Sequence, residues 1–274
     1  WENFANYTKS FGQHTVTGMV GMSYQESTND NVYGSLSANS EDAIKKNDPL
    51  FYYLNYGSAS ATKGVAGEKI RSAKLSYFGR VGYEFAGRYL LQGSLRADAA
   101  DLSLLPSTNR WGYFPAVSAG WTLSEEEFFA PLKHQVSSLK LRASWGQNGS
   151  LAALSNYPYS TDMALKGLYP FGTGNYYINA VAPSSMGNDK LKWETSEQIN
   201  IGLDARFLKD RLTVGMDYFN KKTKDLLVNG TTPSLIVGGT TSPMNAGNVS
   251  NKGWEFELGW RDHIGDFHYS LRAN

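Results

Sequence analysis

Charged side chains in this 274-residue chain recur one position away from apolar ones, the spacing of groups that line one wet face of an extended strand and touch whatever passes along it. Arg80, Glu84, Arg96, Asp98, Arg142, Asp204, Arg206 and Asp217 all have this setting. Such a set could bind a polar solute or contact a further protein segment; hydration of a lumen and pairing with neighbours are the simpler roles. A second set is aromatic: Tyr157, Tyr159, Tyr169, Phe171, Tyr176 and Tyr177 stand in a stretch rich in Asn, Gly, Tyr and Pro. Aromatic faces stack on sugars and anchor interfaces, so these six are the candidates for ligand or lid contact, with packing among loops as the alternative.

Catalytic chemistry finds less support. His14, His134, His263 and His268 never take HExxH spacing, the Gly64–Lys69 stretch lacks the Gly-Lys-Ser/Thr of a phosphate loop, and no GxSxG elbow occurs. The acidic run Glu125, Glu126, Glu127 follows Ser124 in capping-box order, with Leu123 and Phe128 in staple positions, and so predicts the start of a short helix. The chain has no Cys, which excludes disulfides and thiolate catalysis. A net charge of +1 leaves no basic field of the kind that holds nucleic acid. No cofactor, metal site or catalytic residue is expected.

The elements that carry these residues read as strands. In Arg110 to Leu123, alternate residues put Trp111, Tyr113, Pro115, Val117, Ala119 and Trp121 on one face. The two Trp are ten positions apart, which at about 3.3 Å per residue and a tilt of about 45° spans about 23 Å, close to the apolar band between the aromatic girdles of a membrane barrel. A soluble sandwich strand alternates in the same way, and Pro115 implies a bulge or a late start to regular pairing. The same alternation marks His14 to Tyr24, Ala73 to Phe85, Arg88 to Asp98, Leu139 to Trp145, Ile199 to Phe207, Leu212 to Phe219, Trp254 to Arg261 and Phe267 to Ala273. With a partial strand before Gly12, about ten strands result.

Connections separate the two readings. Short turns at Gly12, Ala86-Gly87, Lys209-Asp210 and Gly265-Asp266 alternate with long loops at about 25–70, 99–109, 148–192 and 222–250, and a short helix is expected near Glu41 to Lys46. Short turns at one end and long loops at the other, with charges on the second face, favour a transmembrane antiparallel up-and-down β-barrel over a sandwich with a dry core. No run of apolar residues is long enough for a transmembrane helix. A first residue Trp1 without Met or signal peptide, and a last strand that stops at Asn274, are read as a piece of a longer chain.

Several segments then carry a resemblance: SYFGRVGYEFAGRYLLQGSLRAD, RWGYFPAVSAGWTLSEEEFF, LKLRASWGQNGS, KWETSEQINIGLDARFLKDRLTVGMDYFNKKTKDLL and NAGNVSNKGWEFEL. In this order they resemble the barrel signatures of SusC/RagA-type TonB-dependent receptors of bacterial outer membranes, over roughly Ser76 to Leu258. Asp98-Ala99-Ala100-Asp101 departs from the family's usual Asp-Gly-Ser-Ser run, so ligand contacts of that loop do not transfer. The resemblance implies a 22-stranded barrel, of which residues 1–274 would supply about ten strands without the plug. It also implies import of oligosaccharides or peptides rather than enzymatic activity. Its implied partners are a SusD-like surface lipoprotein, the TonB complex through the N-terminal part, and outer-membrane lipid and lipopolysaccharide. A barrel enzyme of the outer membrane and a soluble β-sandwich binding module are the alternatives.

Overall fold

The computed structural model describes residues 1–37, 62–172, 176–230 and 239–274. Ten strands form one antiparallel sheet in chain order: β1 (Glu2–Phe11), β2 (His14–Ser37), β3 (Thr62–Phe85), β4 (Tyr89–Ala99), β5 (Trp111–Thr122), β6 (Val136–Ser150), β9 (Glu194–Phe207), β10 (Leu212–Lys224), β14 (Val249–Ile264) and β15 (Phe267–Ala273). Between β6 and β9 lies a hairpin, β7 (Asp162–Phe171) with β8 (Tyr176–Met186). Between β10 and β14 lie three two-residue strands: β11 (Leu227–Val228), β12 (Thr240–Thr241) and β13 (Met244–Asn245). β12 joins the β7–β8 sheet through β8, and β11 pairs with β13.

The chain forms two compact units, residues 1–24 with 74–274 and residues 25–73. In the first, the register is continuous from β3 to β15 except for one shift near Val136. It aligns the apolar alternation across strands: Tyr83, Leu91, Ala119, Ala143, Ile201, Tyr218 and Trp254 form one row. Because opposed residues in an antiparallel pair share a face, one surface is apolar throughout, and it stays open: Val81, Leu91, Leu95, Ile201, Phe256 and Leu258 are all more than half exposed. A soluble sheet with this surface would be an aggregation template.

The tight turns use left-handed backbone where the sequence supplies Gly or a short loop. Ala86 and Gly87 have φ of 53° and 69°, and Leu208, Lys209 and Asp210 all have φ between 55° and 65°. Of the two outcomes expected at Pro115, the structure shows the late start to pairing rather than the bulge: Pro115 pairs in register with Leu95 of β4, while pairing with β6 begins only at Ala116. The missing N–H is thus accommodated where the second ladder has not yet started.

Three of the expected loops contain more strand than their composition suggests. Residues 25–37 extend β2 and residues 62–70 begin β3, so the loop expected over 25–70 is partly a long hairpin. The short helix expected near Glu41 to Lys46 lies outside the described residues. In this second unit Lys69 bonds Asp30 at 3.4 Å and Arg71 bonds Glu26 at 2.7 Å. Polar side chains on both faces leave no period-2 signal, and backbone pairing with cross-strand charges forms the ladder instead. The loop expected over 148–192 holds the β7–β8 hairpin, and that over 222–250 is shortened by β10 and β14 and carries β11 to β13.

Candidate functional site

The second face of the sheet carries all eight charged residues singled out by spacing, because the register transmits one parity from β3 to β10. The structure draws five of them into two networks. On β4, Arg96 donates from Nε to Asp98 at 2.8 Å and from Nη2 to the Ser76 hydroxyl at 2.9 Å, and its guanidinium lies 5.7 Å from the Phe78 ring centre. On β6, Arg142 donates from Nε and Nη2 to the two oxygens of Asp204 at 2.6 and 2.9 Å, and from Nη2 to Asp217 at 3.1 Å. One cation therefore bridges carboxylates of two further strands.

Gly202 makes that bridge fit: a Cβ there would strike Asp217 Oδ1 and come within 2.8 Å of the Arg142 guanidinium. The three side chains remain 30% to 48% exposed, so the network is wet and its net stabilisation is small. Arg80 reaches the Met19 sulfur at 3.6 Å. Glu84 and Arg206 are exposed and have no ionic partner among the described residues. Glu84, Gln92, Arg142 and Asn200 line a cavity of about 450 Å³ on this face.

A packed crown stands at the end with the long connections. Leu105 and Leu191 are fully buried and form a small core with Ala100 and Leu227, against which Leu151, Leu154 and Trp193 pack. Polar ties cross between the loops: Asn109 Nδ2 donates to Leu191 O at 2.9 Å, Trp193 Nε1 to Arg110 O at 3.1 Å, and Asn245 Nδ2 to both Lys192 O and Asp225 O at 2.9 Å. Below this core the Phe114 ring meets Trp193 edge to face at 5.4 Å. Gly149 leaves the room, since a Cβ there would fall inside the Phe114 ring. Composition did not single out Phe114 or Trp193; their signal is the pairing of large rings with Gly112 on β5 itself and Gly149 on the neighbouring β6.

The loop aromatics divide. Tyr157 and Tyr159 meet edge to face at 6.3 Å on the crown, where Tyr159 donates to Leu102 O at 2.6 Å and the Tyr157 amide to Ser103 O. Tyr157 has φ of 54° and its ring is 53% exposed, available to a partner. Tyr169 belongs to β7, opposite Ile178, and is equally exposed. Phe171 pairs with Tyr176 and Pro170 with Tyr177 through the backbone; the side chains of Phe171, Tyr176 and Tyr177 lie outside the described residues. The six are not one cluster in the sequence sense, because Tyr157 and Tyr159 precede the hairpin that carries the rest.

The short-turn end holds a different constellation. Residues 123–132 fold as two 3-10 turns, Leu123–Glu125 and Glu127–Leu132, and neither has a side-chain cap, which corrects the expected capped helix. Glu126 is used elsewhere. It accepts Tyr89 O–H at 2.6 Å, Trp121 Nε1–H at 3.0 Å and Arg88 Nη1 at 3.1 Å. Those donors, the Tyr89 hydroxyl foremost, hold the Glu126 carboxyl below its ordinary range. Tyr89 stacks on Trp121 at 6.2 Å, and at the other end of β5 Tyr77 stacks on Trp111 at 6.0 Å. Each Trp of the ten-residue interval thus belongs to an aromatic belt, with the bare apolar face between them.

The family model for the TonB dependent receptor-like β-barrel matches residues 1–274, the whole chain. The chain belongs to the TonB-dependent receptor β-barrel family. Its relatives include TonB-dependent receptor P3 of Formosa agariphila, 30% identical over 274 residues, which are 100% of this chain and 26% of that protein. TonB-dependent receptor SusC of Bacteroides thetaiotaomicron is 35% identical over 211 residues, 74% of this chain and 20% of SusC. Among solved structures, the RagAB peptide importer in its open-open state superposes with a TM-score of 0.77 at 24% identity, over 99% of this chain and 29% of that one. The chain spans about a quarter of the length of the curated relatives it matches. Membership makes the sheet a piece of outer-membrane barrel wall, and both the soluble sandwich and the barrel enzyme fall away as readings.

Proposed function

We propose that these residues form part of the lumen wall and outer crown of a receptor that imports oligosaccharides or peptides, with a SusD-like surface lipoprotein as partner and TonB as the source of energy. One observation carries the reading. Strands that expose a continuous apolar face on one side carry half-exposed, water-accessible ion networks on the other, beneath a loop crown with its own hydrophobic core. That is the requirement of a wall between lipid and an aqueous path. In this reading Arg80, Glu84, Arg96, Asp98, Arg142, Asp204, Arg206 and Asp217 face the lumen. Tyr157, Tyr159, Tyr169, Phe171, Tyr176 and Tyr177 contact ligand or lid, and the apolar face meets outer-membrane lipid and lipopolysaccharide. The structural neighbour RagAB, a peptide importer, supports the peptide class, while the oligosaccharide class and the lipoprotein partner rest on the resemblance of the barrel segments to SusC/RagA-type receptors.

The test uses the full-length receptor in its own outer membrane. Affinity purification in mild detergent is expected to recover a surface lipoprotein in near-stoichiometric amount. Uptake of labelled oligosaccharide or peptide libraries is expected to stop when TonB is deleted or the proton gradient collapsed. Energy-independent uptake unaffected by loss of the receptor would refute the assignment.

A further inference from the structure

The four histidines of the chain match no linear ligand motif, but the register sets two of them face to face. His263, near the end of β14, lies directly opposite His268, near the start of β15, across a tight turn in which Gly265 has φ of 61°. His263 continues the parity of Glu255, Glu257 and Arg261, so the pair belongs to the polar face of the wall at its short-turn end. Phe267 and Tyr269 stack at 6.3 Å on the other face.

The two imidazole rings are 5.4 Å apart between centres and tilted by 32°, and both are exposed. A divalent transition metal takes an imidazole nitrogen at about 2.0–2.1 Å, which puts each ring centre about 3.2 Å from the ion. Two rings that meet the ion at about 90° to 110° then have centres about 4.5–5.2 Å apart. A small side-chain rotation brings the observed pair into that range, and the backbone ladder already holds both residues in place.

The neighbouring groups favour ligation. Asp262 accepts the backbone N–H of His263 at 2.9 Å and stands 3.9 Å from His263 Nδ1. A carboxylate beside one ring nitrogen directs a metal to the other and raises its basicity. Arg211 holds that carboxylate at 3.3 Å. Arg261, two residues away on the same face, donates from Nε to Asp210 O at 3.1 Å, on the side of β14 away from β15. His14, by contrast, bonds the Tyr83 hydroxyl at 2.7 Å and packs on the Phe85 ring, so its imidazole is already in use.

We propose that His263 and His268 form a two-histidine site for a divalent transition-metal ion of the imidazole-binding class, copper, nickel or zinc, at the short-turn mouth of the barrel wall. Two protein ligands leave the other coordination positions to water or to a further group presented there, so the site exchanges its ion. Hard cations such as magnesium, which take oxygen ligands, are not bound by it. The inference does not depend on what the receptor imports.

The experiment titrates the full-length receptor, in detergent and stripped of metal, with Cu(II). Calorimetry reads the stoichiometry and electron paramagnetic resonance the ligands. His263→Ala and His268→Ala are each expected to remove the same single equivalent of bound copper, and the difference spectrum between parent and variant to carry the splitting of two imidazole nitrogens. His134→Ala is expected to retain the equivalent. Asp262→Asn is expected to keep the two-nitrogen spectrum and to weaken affinity about tenfold, as loss of a carboxylate behind a ligating imidazole does. Ni(II) and Zn(II) are expected to compete for the site and excess Mg(II) to leave it untouched. Heat-modifiable electrophoretic mobility shows that each variant is assembled. Unchanged copper stoichiometry in either assembled histidine variant, a difference spectrum with fewer than two imidazole nitrogens, or displacement of copper by Mg(II) would overturn the site while leaving the transport reading intact.

Discussion

Leu203 and Gly215 test the two faces of the wall against each other. Leu203 lies on the apolar face, opposite Leu141 of β6 and Met216 of β10. Phe207 is four residues toward the short turns and Glu197 six toward the long connections, so Leu203 is about 9 and 14 Å of membrane height from the two rims. Arginine at such a depth costs about 2–4 kcal/mol, or about thirtyfold to nearly a thousandfold in the assembly equilibrium. Gly215 belongs to the other face, opposite Asp204 and Glu257. A Cβ at Gly215 meets the Glu257 Cβ at an ordinary 3.5 Å, and an arginine there gains carboxylate neighbours. Leu203→Arg is therefore expected to abolish most heat-modifiable receptor in the outer membrane, while Gly215→Arg assembles to within about 0.5 kcal/mol of the parent. Equal damage from the two, scored as folded fraction by electrophoretic mobility and surface proteolysis, would refute the assignment of faces. Gly202 adjoins Leu203 but is no substitute control, since any side chain there collides with Asp217 and Arg142.

Two further perturbations follow from the ends of the sheet. Glu126→Gln is expected to lower the thermal midpoint of the folded receptor at pH 7. A carboxyl whose folded pKa is depressed contributes stability that is present above its unfolded pKa and lost as pH falls through the folded value, so the gap between parent and variant should close on acidification; a pH-independent gap would show that charge is irrelevant there. Gly149→Val is expected to displace Phe114 from Trp193 and open the crown, read as new protease cuts within residues 150–193 at unchanged barrel mobility; an unaltered digest would contradict the packing.

The wall was legible in the sequence because membrane and lumen are two solvents separated by one strand's thickness, and each imposes its own chemistry on alternate residues. Trp111 and Trp121 are the clearest case: their interval, their face and their belt partners Tyr77 and Tyr89 all agree. Where both faces meet the same solvent the signal vanishes. Residues 25–37 form a strand with no apolar face, and the β7–β8 hairpin hides in a stretch whose Gly167 bulge, at φ of 116°, breaks the alternation. The acidic run at 125–127 misled for another reason. Capping chemistry and aromatic-belt chemistry both need a carboxylate after a strand, and only the positions of Tyr89 and Arg88 across the ladder show that Glu126 serves the belt.

The placement of apolar burial bears on how such a wall could change its ligand without losing its fold. Leu105 and Leu191, the fully buried large hydrophobics among the described residues, both belong to the crown, while the wall faces outward with what would be the core of a soluble protein. Wall stability therefore depends on lipid and on backbone pairing, and crown stability on a small local core with cross-loop bonds from Asn109, Trp193 and Asn245. The two meet at Phe114, on the polar face of β5, whose ring joins the crown through Trp193. Substitutions at the exposed rings of Tyr157 and Tyr169 touch neither source of stability. If the crown recognises ligand as proposed, recognition can vary while Leu105, Leu191 and Phe114 are kept, and a chain in which those three were polar would be expected to insert its wall and leave its loops unfolded.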